Sequence, residues 1–134
     1  MGNSKPYIPK TKFDDKAVAL LRTMTPAQIR EDVPALLTWL QDLNWPIASD
    51  VSDYLIPYVN DIKNEILDVF RTYDETWKRN VLCLLGDVPH QLDEMLLLSL
   101  KRMASAPTPG EKEEEIDLLA IDILLRQAEL RQQD

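Results

Sequence analysis

The chain has 134 residues, of which 45% are hydrophobic and 28% charged, a composition too apolar for a disordered protein and too charged for a membrane-spanning one. This length predicts one domain with one core over residues 1–134. A single cysteine excludes an internal disulfide, and a net charge of −8 argues against nucleic acid as a partner.

The N-terminal segment, residues 1–12, has no helical pattern of apolar residues. Its lysines are not followed by the apolar stretch of a secretory signal, and Pro6 occupies the position where a myristoylation site needs Ser or Thr. We therefore expect a poorly ordered or extended arm at residues 1–12. The default expectation for the location is the cytoplasm, with no membrane contact.

Helical spacing of apolar residues continues along nearly the whole chain, and neither Asn-Gly nor Asp-Gly, the usual hairpin signals, occurs. A proline lies two positions after each of three residues that can cap a helix, Asp32, Asn44 and Asp87. This spacing is typical of a helix start. Thr25 and Thr108 begin capping boxes. Further caps are predicted at Asp14, Asn60 and Asp74, with a helix stop at Gly86. The predicted helices are 14–24, 26–32, 34–43, 46–56, 60–72, 75–86, 88–105 and 109–131.

An internal repeat is visible when residues 36–55 are placed on residues 66–85, where nine of twenty positions are apolar in both segments. A further shift by the same offset reaches the apolar residues of 96–103. Such a period is typical of stacked helix pairs. The predicted fold is all-α: a HEAT-like α-α superhelix, a short right-handed solenoid of about three helix pairs plus an N-terminal helix.

The acidic character is concentrated in residues 31–76, which carry two Lys or Arg against ten Asp or Glu. This distribution favours a basic protein partner, although it is also what a solvated face requires for solubility alone. Trp39 is predicted to lie in the core, and Trp45 at the corner between two helices, where an indole can also anchor an interface. The predicted partner-binding residues are Asp42, Asn44, Trp45, Asp50, Asp53 and Trp77.

Residues that could carry catalysis or bind a metal are few. One histidine (His90) and one cysteine (Cys83, in an apolar helix interior where its pKa would be raised) make no zinc pattern. Three scattered glycines make no phosphate loop. We expect no cofactor, no metal and no catalytic residue. The alternative is a small DNA-repair-like or other enzyme that uses Asp42 or His90, which the acidic segment opposes.

The last predicted helix has apolar residues on more than one face, from Leu118 to Leu125. A helix that is apolar on several faces needs a second covering element or subunit. Self-association through this C-terminal helix is therefore a further expectation.

Three stretches, "WLQDLNWPIA", "DETWKRNVLCLL" and "EKEEEIDLLAIDILL", resemble the bacterial domain-of-unknown-function family 5071, with similarity over about residues 9–131. This resemblance implies a compact HEAT-like helical fold of bacterial origin. It brings no known activity and no site residue. Any prediction of function must therefore come from the residues themselves. They favour a non-catalytic protein-interaction module with an acidic face, of which an immunity- or antitoxin-like protein is one version.

Overall fold

A computed structural model describes residues 5–132, and within them the chain forms helices and no strand. The predicted all-α fold is confirmed. Short 3-10 helices occupy Pro26–Asp32 and Ile56–Tyr58. The α-helices of the described residues are α1 (Asp15–Leu21), α2 (Val33–Thr38), α3 (Pro46–Leu55), α4 (Lys63–Phe70), α5 (Glu75–Gly86), α6 (Glu94–Ser105), α7 (Pro109–Glu113) and α8 (Ile116–Gln132).

Helix starts that depend on nearby side chains were predicted correctly. The Asp14 carboxylate accepts the Ala17 N–H at 3.3 Å, and the Asp74 carboxylate accepts the Trp77 N–H at 3.0 Å. Thr108 forms a reciprocal capping box, because its hydroxyl accepts the Glu111 N–H and the Glu111 carboxylate accepts the Thr108 N–H. These side chains satisfy backbone donors that have no partner within the helix.

Asn44, Asn60 and Asp87 do not act as the predicted helix caps, because their backbone or side-chain groups are used elsewhere. Asn44 does not cap α3; its own N–H donates to the Asp42 carboxylate at 2.9 Å, and the cap position before α3 belongs to Trp45. Asn60 does not start α4, since its amide bonds the backbone of the loop before α6 instead. Asp87 does not start a helix either: α6 begins only at Glu94, capped by Asp93.

The predicted helix 109–131 is interrupted, which the sequence analysis did not foresee. Glu115 has a φ of 57°, and the chain changes direction there between α7 and α8. The Glu114 and Glu115 N–H groups donate back to Gly110 and Lys112, so the turn closes α7 before α8 begins. Ile116, the first residue of α8, can then enter the core, where it is fully buried.

One cluster of buried apolar side chains extends from Val18 on α1 to Ile123 on α8. Its members come from every α-helix except α7. Gly86 lies against α8: a Cβ atom added to this glycine would lie 3.7 Å from Ile123 Cγ1. Among the described residues, no helix has the length and apolarity needed to cross a bilayer.

Helix α7 is attached through a buried group of charges at Glu111, which has no exposed surface. Lys78 Nζ lies 3.0 Å from Glu111 Oε2 and 2.8 Å from Glu75 Oε1, and Arg102 bonds both Glu111 oxygens. Burial alone would raise the pKa of Glu111. Hydrogen bonds from Arg102, the Thr108 amide and Lys78 outweigh burial and lower this pKa to about 2.

Recurrent side-chain-to-backbone bonds join residues at constant separations. Arg30 donates to the Asp61 carbonyl and Asn60 to the Gln91 carbonyl, each 31 residues further along. Trp77 and Asn80 donate to carbonyls 40 residues back. Repeated spacings of this kind are consistent with a stack of similar units. The HEAT-like right-handed superhelix itself stays a prediction.

The N-terminal arm was expected to be extended or poorly ordered over residues 1–12, of which residues 1–4 lie outside the described residues. Residues 5–12 form turns. The Tyr7 hydroxyl donates to Asp32 at 2.5 Å, Lys5 Nζ lies 2.9 Å from the same carboxylate, and the Lys12 carbonyl accepts the Ile47 N–H at 3.1 Å. These contacts attach residues 5–12 to the helices.

Candidate functional site

A groove runs between α3 and α5, with a cavity of about 190 Å³. Each helix contributes residues spaced three or four apart, which therefore share one helix face. Leu43, from the loop before α3, completes its wall. The residues of this α3–α5 groove are Leu43, Ser49, Ser52, Asp53, Asn80, Cys83, Leu84 and Asp87.

Two carboxylates in this groove, those of Asp53 and Asp87, form no ion pair within residues 5–132. Both residues are exposed. Some other carboxylates of the acidic segment have cationic partners: Glu65 lies 3.0 Å from Arg30, for example. Asp42, Asp50, Asp61 and Asp74, like Asp53, form no ion pair within residues 5–132. The groove therefore contains two carboxylates that form no ion pair with a cation of the described residues.

Cys83 is half-buried in the wall of the groove. Burial raises the pKa of its thiol, the Arg79 cation partly opposes this rise, and the Asp87 carboxylate adds to it. Since the thiolate is the reactive form, a raised pKa makes Cys83 a poor nucleophile near neutral pH. The group acts as a small apolar part of the groove surface.

The predicted partner-binding residues are only partly brought together. Asp53 lines the α3–α5 groove, and Asp50 lies one helical turn before it on α3. Asp42 and Asn44 are joined by their hydrogen bond in the loop that also contains the groove residue Leu43. Of the predicted partner-binding residues, Asp53 therefore lines the groove, whereas Asp42, Asn44 and Asp50 are neighbours in the chain of its lining residues.

Trp45 lies in the same loop, half-buried against the core. Its ring meets that of Trp39 edge to face, with ring centroids 5.4 Å apart at an interplanar angle of 73°. Such a pair stabilises the corner through both burial and ring geometry. Trp45 is partly exposed, and a role for it in partner contact stays a prediction.

Trp77 belongs to a different part of the surface. Its indole Nε1 donates to the Leu37 carbonyl at 2.9 Å, and its ring borders a second cavity of about 170 Å³ that Glu65 and Asp68 also line. Both of those carboxylates are paired, with Arg30 and Arg71 respectively. The structure thus separates Trp77 from the α3–α5 groove, whose lining does not include it.

The groove contains residues that the sequence analysis did not select: Ser49, Ser52, Asn80 and Asp87. Ser49 could have been found from Asp53, because a residue four positions earlier on a helix lies on the same face, and Ser52 follows from Ser49 at a spacing of three. Asp87 was interpreted as a helix cap, so its place beside α3 was missed. Nothing in the local sequence indicates that α5 lies next to α3.

The two residues of the enzyme alternative have local structural contacts. Asp42 accepts the Asn44 N–H, while His90 lies in the loop between α5 and α6 with Nδ1 3.2 Å from the Gln91 carbonyl. The His90 carbonyl accepts the Gln127 amide at 3.0 Å, which holds this loop on α8. In the described part of the chain, no group of three or more His, Cys, Asp or Glu is arranged to hold a metal ion.

Comparison with known families gives one finding. The sequence profile of a family described as a domain of unknown function, DUF5071, matches residues 7–124. This span includes every groove residue and the elements from α1 to α7, together with the first half of α8. A comparison with curated proteins finds no match.

Proposed function

We propose a function from the premise that this chain belongs to the DUF5071 family, whose description assigns no activity. The chain is a non-catalytic protein-interaction module, and a basic segment of a partner protein binds in its α3–α5 groove. One specific version is an immunity- or antitoxin-like protein that covers a basic effector with its acidic face.

The unpaired carboxylates of Asp53 and Asp87 above an apolar wall support this proposal most strongly. A Lys or Arg side chain carries its charge at the end of an apolar stem. In the groove, that stem would lie against Leu43 and Leu84 and its head would reach a carboxylate. A basic partner therefore matches both the apolar and the charged parts of the surface, as interfaces require.

The polar groups of the wall fit an extended peptide. The hydroxyls of Ser49 and Ser52 can donate to peptide carbonyls and accept from peptide N–H groups. Asn80 uses its Nδ2 on the Leu40 carbonyl at 2.8 Å, which fixes the orientation of the side chain within the wall. Fixed polar groups reduce the entropy that binding costs.

Neutralising the two groove acids tests the proposal. The parent chain and an Asp53→Asn/Asp87→Asn variant are used to capture proteins from a lysate of the native host. A protein captured by the parent is then purified and its affinity measured by calorimetry. We expect the double variant to bind this protein at least about tenfold more weakly, and the difference to shrink as salt screens the charges.

Asp61→Asn is the matched control, because Asp61 is an exposed acid of the same segment outside the groove. We expect it to bind like the parent. Occupancy of the groove is read independently from the alkylation rate of Cys83, the single cysteine, which a bound partner should slow. Equal affinity of the parent and the double variant, with an unchanged alkylation rate, would exclude this groove as the binding site.

A further inference from the structure

The last helix, α8, exposes an apolar stripe on the side that faces away from the core. Leu118, Ile121 and Leu125 are spaced three and four residues apart and are 53%, 40% and 60% exposed. The opposite side of α8 is buried against α5 and α6. We name this stripe the outer α8 face.

The first helix, α1, also exposes apolar side chains at the other end of the chain. Ala17, Val18 and Leu21 are buried on its inner side, which packs on α3. Leu20 and Phe13, just before the helix, remain 42% and 66% exposed on the outside. We name Phe13, Lys16 and Leu20 the outer α1 face. In stacked helical proteins the two terminal outer faces are normally polar, so apolar side chains on both favour a contact with another surface.

The charges around α8 show which kind of surface can cover it. Asp117, Asp122 and Glu129 flank the stripe, and residues 113–122 carry five acids and no Lys or Arg. The two arginines of α8 point elsewhere: Arg126 donates to the Gly86 carbonyl of α5, and Arg131 lies 3.9 Å from Glu94 of α6. Pairing α8 with α8 of a second copy, in either direction, would place acids against acids.

The surroundings of α1 have the opposite charge. Residues 10–22 carry four Lys or Arg against two Asp. Lys12 and Lys16 are exposed and form no ion pair within residues 5–132, and Lys12 Nζ lies 5.4 Å above the Phe13 ring. Apolar side chains beside free cations complement the apolar stripe and the free acids of α8.

We propose that the outer α8 face of one copy binds the outer α1 face of a second copy. This contact uses neither Asp53 nor Asp87, so it is independent of the proposed function. Because the two faces differ, the interface is heterologous: a bound pair still presents one free α1 face and one free α8 face, so further copies add and longer assemblies form. Charge pairing across the interface makes the assembly sensitive to salt.

Sedimentation velocity of the purified chain over a wide concentration range tests this self-association. We expect the average mass to rise with concentration at low salt and to fall when salt is added. In the α1-reversed variant, Lys12→Glu/Lys16→Glu reverses the charge beside the outer α1 face. In the α8-reversed variant, Asp122→Lys/Glu129→Lys reverses the charge beside the outer α8 face. Each variant alone should associate at least about tenfold more weakly than the parent.

Mixing the two variants tests whether an α8 face meets an α1 face. The α1-reversed variant keeps its acidic α8 face, and the α8-reversed variant keeps its basic α1 face, so these two intact faces can form one parent-like interface. The other two ends carry the reversed charges, which are again opposite in sign and therefore do not repel each other. We expect the mixture to associate more strongly than either variant alone.

Leu98→Asp, at an exposed leucine of α6 outside both faces, is the control and should associate like the parent. Circular dichroism verifies that every variant keeps its helices. A parent that remains monomeric at all concentrations would overturn the proposal. So would an α1-reversed variant that still associates like the parent, which would indicate a symmetric contact through α8, or a mixture that associates no better than either variant alone.

Discussion

Glu111 shows how one buried charge holds a short helix in place. Its carboxylate has no exposed surface, yet Arg102, Lys78 and the Thr108 amide all donate to it. Its folded pKa of about 2 lies below the ordinary value of 4.5. The stabilisation that this difference represents is therefore fully present above about pH 4.5 and is lost as the pH falls towards 2.

Glu111→Gln should lower the free energy of unfolding by about 3 kcal/mol at neutral pH, because Lys78 remains buried with Glu75 alone. The gap between parent and variant should narrow below about pH 4.5, where Glu111 of the unfolded parent takes up a proton. Urea denaturation at several pH values measures both effects. Asp68→Asn is the control: the Asp68–Arg71 pair is exposed, so its loss should cost under about 1 kcal/mol. A gap that stays constant with pH would contradict the assigned pKa.

Trp77 makes a structural contact that the sequence did not indicate. It was predicted to bind a partner, and its indole donates to a carbonyl near the end of α2. Trp77→Phe keeps a large ring but removes the donor, and it should lower the free energy of unfolding by about 1 kcal/mol. Chemical denaturation measures this loss. An unchanged stability would mean that the Leu37 carbonyl finds another donor and that Trp77 is free for contact.

At the scale of elements, the junction between α7 and α8 depends on a left-handed residue. Glu115 has a φ of 57°, a conformation that costs a residue with a Cβ about 1 kcal/mol relative to glycine. Glu115→Gly should raise the free energy of unfolding by about 0.5–1 kcal/mol, measured by urea denaturation. Glu114→Gly is the matched control, because Glu114 has a φ of −90° and glycine there only adds freedom to the unfolded chain. A loss of stability in Glu115→Gly equal to that in Glu114→Gly would contradict the strain at position 115.

How far the elements could be predicted depends on the distance between interacting residues. Asp14, Asp74 and Thr108 cap helices through groups three residues away, and the sequence displays such spacings directly. The loop before α6 is held instead by Asn60 and Gln127, more than thirty residues away in each direction. Periodicity extended the helix through this loop because tertiary hydrogen bonds leave no local pattern.

Prediction of the groove residues was limited in the same way by distance along the chain. Asp53 could be selected from the acidic segment, and the structure places it in a groove. Asp87 and Asn80 could not be selected with it, since they come near Asp53 because α3 and α5 line the same groove rather than through any spacing in the sequence. Trp77 was grouped with Trp45 because both are large aromatic residues in or beside the acidic segment. The structure gives each indole a different neighbour.

At the scale of the whole molecule, the buried cluster links the first helix to the last without a break between two separate cores. The α3–α5 groove lies among the middle elements, whereas the outer faces of α1 and α8 belong to the ends of the chain. Binding in the groove and association of the ends can therefore occur together. We expect the chain to fold as one unit, because α5 contributes to the groove and also packs on α8.

The tryptophans allow a test of whether the whole chain unfolds in one cooperative transition. Trp39, Trp45 and Trp77 lie between α2 and the start of α5, so their fluorescence reports the first part of the chain, whereas far-UV circular dichroism also includes α6 and α8. Because Leu85, Leu96 and Ile123 belong to the same cluster as Leu36 and Ile47, we expect the two signals to give the same urea midpoint and the same slope. Stacked helical units can lose this cooperativity when the contact between neighbours is weak. A fluorescence midpoint clearly different from the dichroism midpoint would show that α6 to α8 unfold as a separate unit, and the chain would then contain two domains.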